Sequence, residues 1–298
     1  MIMPVLVALV VGLAVQPVLV RALTAAAVLD VPCARSSHTT PVPRGGGVAV
    51  VLAAAAGFVL LPSARMLLVP VLAFAAIGLA EDVRGVAVPV RLALHLLAGT
   101  ISAVTLLPLP LAGVLAVALW LTAYANAFNF MDGINGISAA QAVVAGLVFA
   151  LAGLPAGLVL AAAAATFLPW NAGRARIFLG DAGSYGLGAL IAALAVLGLR
   201  QGLPVAVVLA PLAVTLADTG CTLARRILRG EPWYRPHRSH TYQRLTDAGW
   251  THQQVTLLTV AISAGLSAAA AVDTRLAVAV AVLLLGGYFT LPAMVPVR

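Results

Sequence analysis

Lysine is absent from this 298-residue sequence, so all seventeen basic residues are arginines, and a GC-rich genome is a sufficient explanation. Charge of either sign is scarce, because only 9% of the residues are charged while 62% are hydrophobic. Soluble domains carry about 25% charged residues. The composition therefore excludes a soluble protein and indicates an integral membrane protein.

Other absences narrow the class further. Segments that alternate apolar and polar residues, as a membrane β-barrel requires, are missing. The two cysteines, Cys33 and Cys221, are far apart and lack metal-ligand spacing, so we expect free thiols. Residues 1–20 carry no charge, so the basic n-region of a cleaved signal peptide is missing. The sequence predicts an all-α, polytopic integral membrane protein with one domain over residues 1–298.

Apolar stretches long enough to span a bilayer recur along the whole chain. We expect about eleven transmembrane helices, with ten as the alternative count, near residues 3–27, 46–62, 65–80, 91–107, 109–128, 137–153, 154–170, 183–199, 203–224, 254–272 and 275–292. Most arginines fall in alternate connections, and the positive-inside rule makes that side cytoplasmic. The N-terminus is therefore predicted to be periplasmic. All carboxylates except Asp273 lie on the predicted cytoplasmic side, which indicates a site on the cytoplasmic loops.

The stretch YANAFNFMDGING, residues 124–136, ends an aliphatic segment with polar side chains at a spacing of three. This spacing keeps Asn126, Asn129 and Asp132 on neighbouring positions of one helix face. Hydrogen bonding between helices would explain one asparagine, since an amide in hydrocarbon needs a partner. It does not explain three such residues followed by two glycines, so we expect them to line one cleft.

Two further motifs place carboxylates at helix ends. Glu81 and Asp82 are adjacent at the end of the third apolar stretch, where a solvated turn is the simpler interpretation. The motif GDAGS, residues 180–184, leads directly into another apolar stretch. A helix N-terminus attracts anions, and Asp181 beside it can bind a divalent cation that the anion also binds. Simple helix capping by Asp181 or Ser184 is the alternative.

Two polar loops supply positive charge. In RGEPWYRPHRSHTYQRL, residues 229–245, His237 and His240 lack further ligands at zinc spacing, and their arginine neighbours favour phosphate binding. Contact of this loop with anionic lipid headgroups is the alternative. In ARSSHTTPVPRGGG, residues 34–47, Arg35, His38 and Arg44 precede three glycines. The arginines are dispersed over membrane loops, so we expect no nucleic-acid partner.

The motifs NAFNFMDGING and FLGDAGS, with RSSHTTPVPRGGG and RPHRSH, resemble those of polyprenyl-phosphate N-acetylhexosamine-1-phosphate transferases. This is the superfamily of the WecA-type and MraY-type enzymes, and the resemblance runs in the family's order from about residue 35 to 245. The two basic motifs look more like the O-antigen and lipid-linked-sugar branch than the peptidoglycan precursor branch. The resemblance implies a multi-pass protein of the bacterial inner membrane that uses Mg2+, with Mn2+ as an acceptable replacement.

The resemblance also assigns roles to residues. It makes Asp181 the principal Mg2+ ligand and places the catalytic carboxylates Asp82 and Asp132, with Glu81, beside the metal and the lipid phosphate. Substrate contacts fall to a set of polar, basic and aromatic side chains: Asn126, Asn129, Asn135, Asn171, Phe178, His237, Arg238, His240 and Arg44.

Within that set, Phe178 is expected to stack on uracil, and His237 with Arg238 and His240 to hold the diphosphate. The chain departs from the family at Glu81, where relatives have aspartate, and at Asn135, where many have a second aspartate. The lysine that often follows the acidic pair is missing, with Arg84 nearby instead.

The resulting hypothesis is transfer of an N-acetylhexosamine-1-phosphate, or a related 2-acetamido-6-deoxy sugar phosphate, from a UDP-sugar to undecaprenyl phosphate. UMP would leave, in the first membrane step of O-antigen or cell-envelope polysaccharide synthesis. The partners are the UDP-sugar, undecaprenyl phosphate and membrane lipids, and a homodimer is an open expectation. A transporter for an anionic substrate is the alternative, but its ionisable residues should lie near the bilayer midplane. A CDP-alcohol phosphotransferase requires D-G-x-x-A-R, which fails after Asp132.

Overall fold

The computed structural model describes residues 1–32, 40–232, 234 and 237–294. Cys33, Arg35 and His38 lie outside the described residues, and so does any role for these side chains. Trp233 and Arg235 of the basic loop at residues 229–245, and Arg298, also lie outside them.

The described chain is almost entirely helical, which confirms the all-α membrane class. Its α-helices are α1 (Ile2–Ala25), α2 (Gly47–Val59), α3 (Leu68–Arg84), α4 (Val88–Leu106), α5 (Leu111–Phe130), α6 (Ile137–Leu151), α7 (Ala156–Ala165), α8 (Leu168–Asn171), α9 (Gly180–Arg200), α10 (Val205–Leu209), α11 (Ala213–Leu228), α12 (Thr241–Asp247), α13 (His252–Val272) and α14 (Thr274–Met294). Two short strands, β1 (Leu29–Asp30) and β2 (Val42–Pro43), pair antiparallel.

Each predicted apolar stretch coincides with a helix or with consecutive helical segments. Within the described residues, eight helices are long and apolar enough to cross a bilayer, and three shorter apolar helices accompany them. Short 3-10 turns, Pro62–Leu67 and Ala210–Leu212, lead into α3 and α11. The number of crossings and the periplasmic side of the N-terminus stay predictions.

Helix α9 lies at the centre of the bundle, since 16 of its 21 residues are buried. It packs against α2, α3 and α5, and glycines allow the close approach. A Cβ on Gly47 of α2 would collide with the backbone of Gly183, and one on Gly78 of α3 would collide with the backbone of Asp181. Small residues at crossings are the usual means of packing helices closely in lipid. The beginning of α9 is therefore fixed by its neighbours.

The buried apolar residues form two clusters. The larger surrounds α9, and the smaller lies around α13 and includes Met131, Ile134 and Ile137 from the segment that follows α5. That segment carries Asp132, so the carboxylate lies where the two clusters meet.

Candidate active site

The ends of α3 and α5 and the beginning of α9 meet around Arg44. The backbone of Arg44 is held on both sides, because its N–H donates to the carbonyl of Val28 at 3.2 Å and it forms a parallel bridge with Phe178. The N–H of Phe178 donates to the Pro43 carbonyl at 2.8 Å, and the Phe178 carbonyl accepts from Gly46 at 2.9 Å. The segment before α2 is therefore fastened directly to the segment before α9.

The Arg44 guanidinium bridges two carboxylates that are 99 residues apart in the chain. Its Nε lies 2.7 Å from Asp82 Oδ1, and its Nη2 lies 3.1 Å from Asp181 Oδ1. The Asp82 side chain is only 3% exposed, whereas that of Asp181 is 18% exposed. The planar guanidinium suits such a bridge because its N–H groups diverge in a fixed fork.

Asp82 also caps α9 from the neighbouring helix α3. Its Oδ1 accepts the N–H of Asp181 and its Oδ2 accepts the N–H of Ala182, both at 3.0 Å. Gly180 adopts φ +75°, and a Cβ there would lie 2.8 Å from Asp82 Oδ2. The carboxylate thus satisfies N–H groups that the first turn leaves without helical partners. Both Asp82 oxygens already accept hydrogen bonds, which favours a positioning role for this residue.

Asn129 connects α5 to the same turn of α9. Its Nδ2 donates to Asp181 Oδ1 at 3.0 Å and lies 2.8 Å from Ser184 Oγ. Asn126 faces a different neighbour, because its Nδ2 donates to the Thr122 carbonyl at 2.8 Å and lies 3.1 Å from His95 Nδ1 on α4. The two asparagines therefore bind different neighbours, and a cleft lined by both, like substrate contact by Asn126, stays a prediction.

Asp132 lies just after α5, in the electrostatic field of the other two aspartates. Burial raises its pKa to about 7; the Ser138 hydroxyl and Arg44 lower it, while Asp181 and Asp82 raise it further. Part of the Asp132 surface stays accessible, but burial has the largest effect on its pKa. The site contains one guanidinium, that of Arg44, and three carboxyl groups, those of Asp82, Asp132 and Asp181. Negative charge is therefore in excess.

The other carboxylate of the acidic pair points elsewhere. Glu81 Oε1 lies 2.8 Å from Arg91 Nη1, and its Oε2 accepts the N–H of Val86 at 2.6 Å. Glu81 thus holds the connection between α3 and α4, and its catalytic role stays a prediction.

Asn135 and Asn171 fasten two loops to each other. Asn171 Oδ1 accepts the N–H of Gly136 at 2.6 Å and its Nδ2 donates to the Ile177 carbonyl at 3.0 Å. Asn135 Nδ2 donates to the Gly173 carbonyl at 2.6 Å. These bonds engage both amides with the backbone. Contacts of Asn135 and Asn171 with substrate, and stacking of Phe178 on uracil, stay predictions.

The histidine segment, residues 237–240, lies immediately before α12. The rings of His237 and His240 lie 5.0 Å apart, and Ser239 Oγ is 3.0 Å from His237 Nδ1. Burial, with the positive charges near it, lowers the pKa of His237 to about 4, so its ring is neutral near pH 7. Arg238 pairs with Asp247 at 2.8 Å. Diphosphate binding by these side chains stays a prediction.

The segment is joined to the aspartates by Tyr242, in the first turn of α12. Its hydroxyl donates to the Phe130 carbonyl at 2.9 Å, and its ring lies against Gly133. The histidines and Asp132 therefore belong to one connected arrangement.

Sequence reasoning gave no role to two buried groups near the site. His95, on α4, lies between Phe74 and Tyr185 and is fully buried. Asp218, on α11, is also fully buried. An ionisable residue inside an apolar helix is itself a signal of function or of a buried network.

The carboxylates fit a divalent cation through their charge rather than through a preformed cage. Among the residues that the structure describes, no group of three or more His, Cys, Asp or Glu side chains is arranged to bind a metal ion. The excess negative charge at Asp132 and Asp181 is nevertheless what a divalent cation would offset. Mg2+ is commonly bound by one or two carboxylates, with water and substrate phosphate as the other ligands. Asp181 and Asp132 are the candidates, because the oxygens of Asp82 accept N–H groups.

The chain was compared with known proteins. Residues 64–199 match the family model described as "Glycosyl transferase family 4". The chain is 30% identical to a probable undecaprenyl-phosphate N-acetylglucosaminyl 1-phosphate transferase of Bacillus subtilis, over 85% of this chain and 79% of the relative. It is 29% identical to a decaprenyl-phosphate N-acetylglucosaminephosphotransferase of Mycobacterium leprae, over 76% of this chain and 72% of the relative.

A shorter match is to a phospho-N-acetylmuramoyl-pentapeptide-transferase of Staphylococcus aureus, at 27% identity over 30% of this chain and 31% of the relative. The longer matches, the family model and the helical membrane fold agree. The chain belongs to glycosyl transferase family 4, the family of the WecA-like and MraY-like polyprenyl-phosphate sugar-1-phosphate transferases.

Proposed function

We propose that this protein transfers N-acetylhexosamine-1-phosphate from a UDP-sugar to undecaprenyl phosphate and releases UMP. The observation that carries the proposal is the Arg44 bridge between Asp82 and Asp181 at the N-terminus of α9, with Asp132 beside it. This arrangement gathers carboxylates for a divalent cation around one guanidinium, while Asp82 occupies N–H groups at the beginning of α9. A phosphoryl transfer depends on such positioning and electrostatic stabilisation.

In the reaction, an oxygen of the lipid phosphate attacks the β-phosphorus of the UDP-sugar. The bond from this phosphorus to the bridging oxygen breaks, UMP leaves, and a lipid diphosphate-linked sugar forms. Mg2+, bound by Asp181 and Asp132, would offset negative charge on the diphosphate. The lipid monophosphate has a second pKa of about 6 and is largely ionised at neutral pH. Its oxygen can therefore attack without strong base catalysis.

The residues of the chain have distinct parts in this scheme. Asp82 and Asn129 hold the first turn of α9, so Asp181 keeps one orientation while substrate binds. Arg44 limits the repulsion between Asp82 and Asp181. His237, neutral near pH 7, offers hydrogen bonds to the diphosphate rather than a fixed charge.

N-acetylglucosamine is the sugar in the names of the long-matching relatives, so UDP-N-acetylglucosamine is the donor to test first. A 2-acetamido-6-deoxy sugar, such as N-acetylfucosamine or N-acetylquinovosamine, is the alternative. The product would serve the first membrane step of O-antigen or another cell-envelope polysaccharide, in the bacterial cytoplasmic membrane.

The test uses the full chain, purified in detergent, with undecaprenyl phosphate, MgCl2 and a panel of UDP-sugars. We expect UMP release matched by a lipid-linked sugar in the mass spectrum, abolished by EDTA. Asp181→Asn should lower turnover by a factor of about 100 or more, the size expected when a group that stabilises transition-state charge is lost. Asp273→Asn, at the other end of the bundle, is the matched control with unchanged turnover.

Near-normal turnover of Asp181→Asn would contradict the metal assignment. Uptake of a UDP-sugar into proteoliposomes without UMP release would favour a transporter and contradict the proposal as a whole.

A further inference from the structure

Asp218 is the most completely enclosed carboxylate outside the arrangement around Arg44. It is fully buried inside α11, where an unpaired charge would be very costly. Four donors surround it: Thr222 Oγ1 at 3.1 Å, Tyr288 Oη at 2.7 Å, the N–H of Thr241 at 2.9 Å and the N–H of Tyr242 at 3.2 Å. Two of these four donors belong to the first turn of α12, and His240 Nδ1, just before that turn, lies 3.4 Å from Asp218 Oδ1 without a hydrogen bond.

The contact with α12 is a cap supplied by another helix. Asp218 Oδ1 and Oδ2 accept the first two N–H groups of α12, those of Thr241 and Tyr242. Asp82 does the same for α9. In both cases a buried carboxylate on a long helix fixes the start of a helix that adjoins the site.

Other α11 side chains hold the rest of the histidine segment. Arg225 Nη2 donates to the Ser239 carbonyl at 2.9 Å. Arg226 pairs with Glu231 at 2.7 Å and donates to the Pro232 carbonyl at 3.0 Å. Helix α11 therefore binds the chain both within the histidine segment, at Ser239, and shortly before it, at Glu231 and Pro232.

Tyr242 connects the first turn of α12 to the segment that carries Asp132. Its N–H is bound by Asp218, its ring stacks on His240 at 5.6 Å, and its hydroxyl donates to the Phe130 carbonyl. A Cβ on Gly133 would collide with that hydroxyl. The residue next to Asp132 must therefore be glycine for this contact to form.

We propose that Asp218 is a positioning residue that holds His237 and His240 in place relative to Asp132. It acts through the first turn of α12 and Tyr242, without touching substrate. The consequence for turnover rests on the proposed function, whereas the consequence for the histidines does not.

The first experiment measures the histidines directly. The purified chain is treated with diethyl pyrocarbonate, and the modification rate of each histidine is followed by mass spectrometry. In the wild type, His240, which is 4% exposed, should react slowly. Asp218→Asn replaces one acceptor oxygen by a donor, so an N–H of α12 or the Tyr288 hydroxyl loses its partner. We expect the His240 rate to rise by about tenfold, the factor that corresponds to one charge-assisted hydrogen bond.

Two controls separate a local effect from general unfolding. His95, fully buried on α4, should keep its slow rate in every variant. Asp273→Asn removes a carboxylate that also accepts first-turn N–H groups, those of Arg275 and Leu276 at the start of α14. This variant should leave the His240 rate unchanged.

Tyr288→Phe removes a single donor to Asp218 and serves if Asp218→Asn folds poorly. Its His240 rate should rise less than that of Asp218→Asn, with His95 unchanged. An unchanged His240 rate in Tyr288→Phe and Asp218→Asn, or an equal rise at His95, would overturn the proposal.

Turnover supplies a second measurement. Asp218→Asn should raise the KM for the UDP-sugar more than the KM for undecaprenyl phosphate, and Asp218→Ala should be worse than Asp218→Asn. Equal increases in the two KM values would indicate a merely structural role and overturn the proposal. If the wild type transfers no sugar, the proposed function fails, but the labelling result still decides whether Asp218 positions the histidines.

Discussion

Replacing Asp82 by asparagine should damage the protein mainly through stability. The carboxylate accepts Arg44 Nε at 2.7 Å and two N–H groups of α9 at 3.0 Å, and its side chain is 3% exposed. An asparagine has one acceptor oxygen. If that oxygen takes the place of Oδ1, the amide NH2 faces the N–H of Ala182. In the opposite orientation the NH2 faces Arg44 Nε and the N–H of Asp181. At least one N–H is left without a partner in either case.

The magnitude follows from these contacts. Removing one partner of a buried ion pair costs about 3–5 kcal/mol, and a hydrogen bond to a charged group contributes about 1.5–3 kcal/mol. Arg44 is 35% exposed and regains some hydration, so about 2–4 kcal/mol is expected. At about 2–4 °C per kcal/mol, the scale for larger domains, Tm should fall by roughly 4–16 °C.

The assay is thermal unfolding of the detergent-purified protein, followed by tryptophan fluorescence. Asp247→Asn is the matched control, since it breaks a more exposed ion pair with Arg238, of a kind worth about 0–1 kcal/mol. A double-mutant cycle with Arg44→Gln should give a coupling free energy that favours the pair. An Asp82→Asn protein with wild-type Tm and no transfer would refute the positioning role and make Asp82 a chemical participant.

Three further predictions concern the same site. Asp132 has a folded-state pKa of about 7 against an ordinary 3.8, so in EDTA its contribution to stability is present below about pH 4 and lost as pH rises through about 7. At about 1.4 kcal/mol per pKa unit, this contribution to the free energy of unfolding is at most about 4 kcal/mol, and partial accessibility lowers it. Asp132→Asn should therefore make Tm less dependent on pH over this range. An unchanged dependence of Tm on pH would contradict the raised pKa of Asp132. Gly78→Ala should lower turnover at least about tenfold, because its Cβ would displace the backbone of Asp181 and small misplacements are costly in catalysis. Gly287→Ala, where a Cβ meets open space, should have no effect. Equal turnover of these two variants would count against the close crossing of α3 and α9. Asn129→Ala should lower kcat/KM about tenfold by releasing Asp181, for one lost charge-assisted hydrogen bond, and full activity would show that Asp181 needs no such support.

Much of the fold could be predicted because the bilayer leaves few choices. Backbone groups in hydrocarbon must be satisfied within the segment, so long apolar runs become helices. The apolar stretches therefore mark the helices well, and the break at residues 60–61, between α2 and the turn that leads into α3, lies three residues before the predicted break at residues 63–64. The motifs at helix ends predicted that Arg44, Asp82, Asp132 and Asp181 lie at one membrane face, and the family resemblance implied that the three carboxylates lie together.

The partner of each side chain could not be predicted in the same way. Glu81 and Asp82 are neighbours in sequence, but successive residues point about 100° apart on a helix. One therefore meets Arg91 on α4 and the other meets the start of α9. Asn126 and Asn129 are three residues apart, about 60° around the helix, and still lie against different partners, His95 on α4 and Asp181 on α9.

The sequence by itself determined the class of protein and its helices, and it predicted that the polar motifs gather at one end of the bundle. Those properties depend on composition and on local periodicity, which one stretch of chain carries alone. Only the tertiary structure decided that Asp82 caps α9 and that Asp218 caps α12 with help from Tyr288, 70 residues further along the chain. Such partners are set by which helices pack together, and in an apolar chain every helix offers a similar surface to its neighbours.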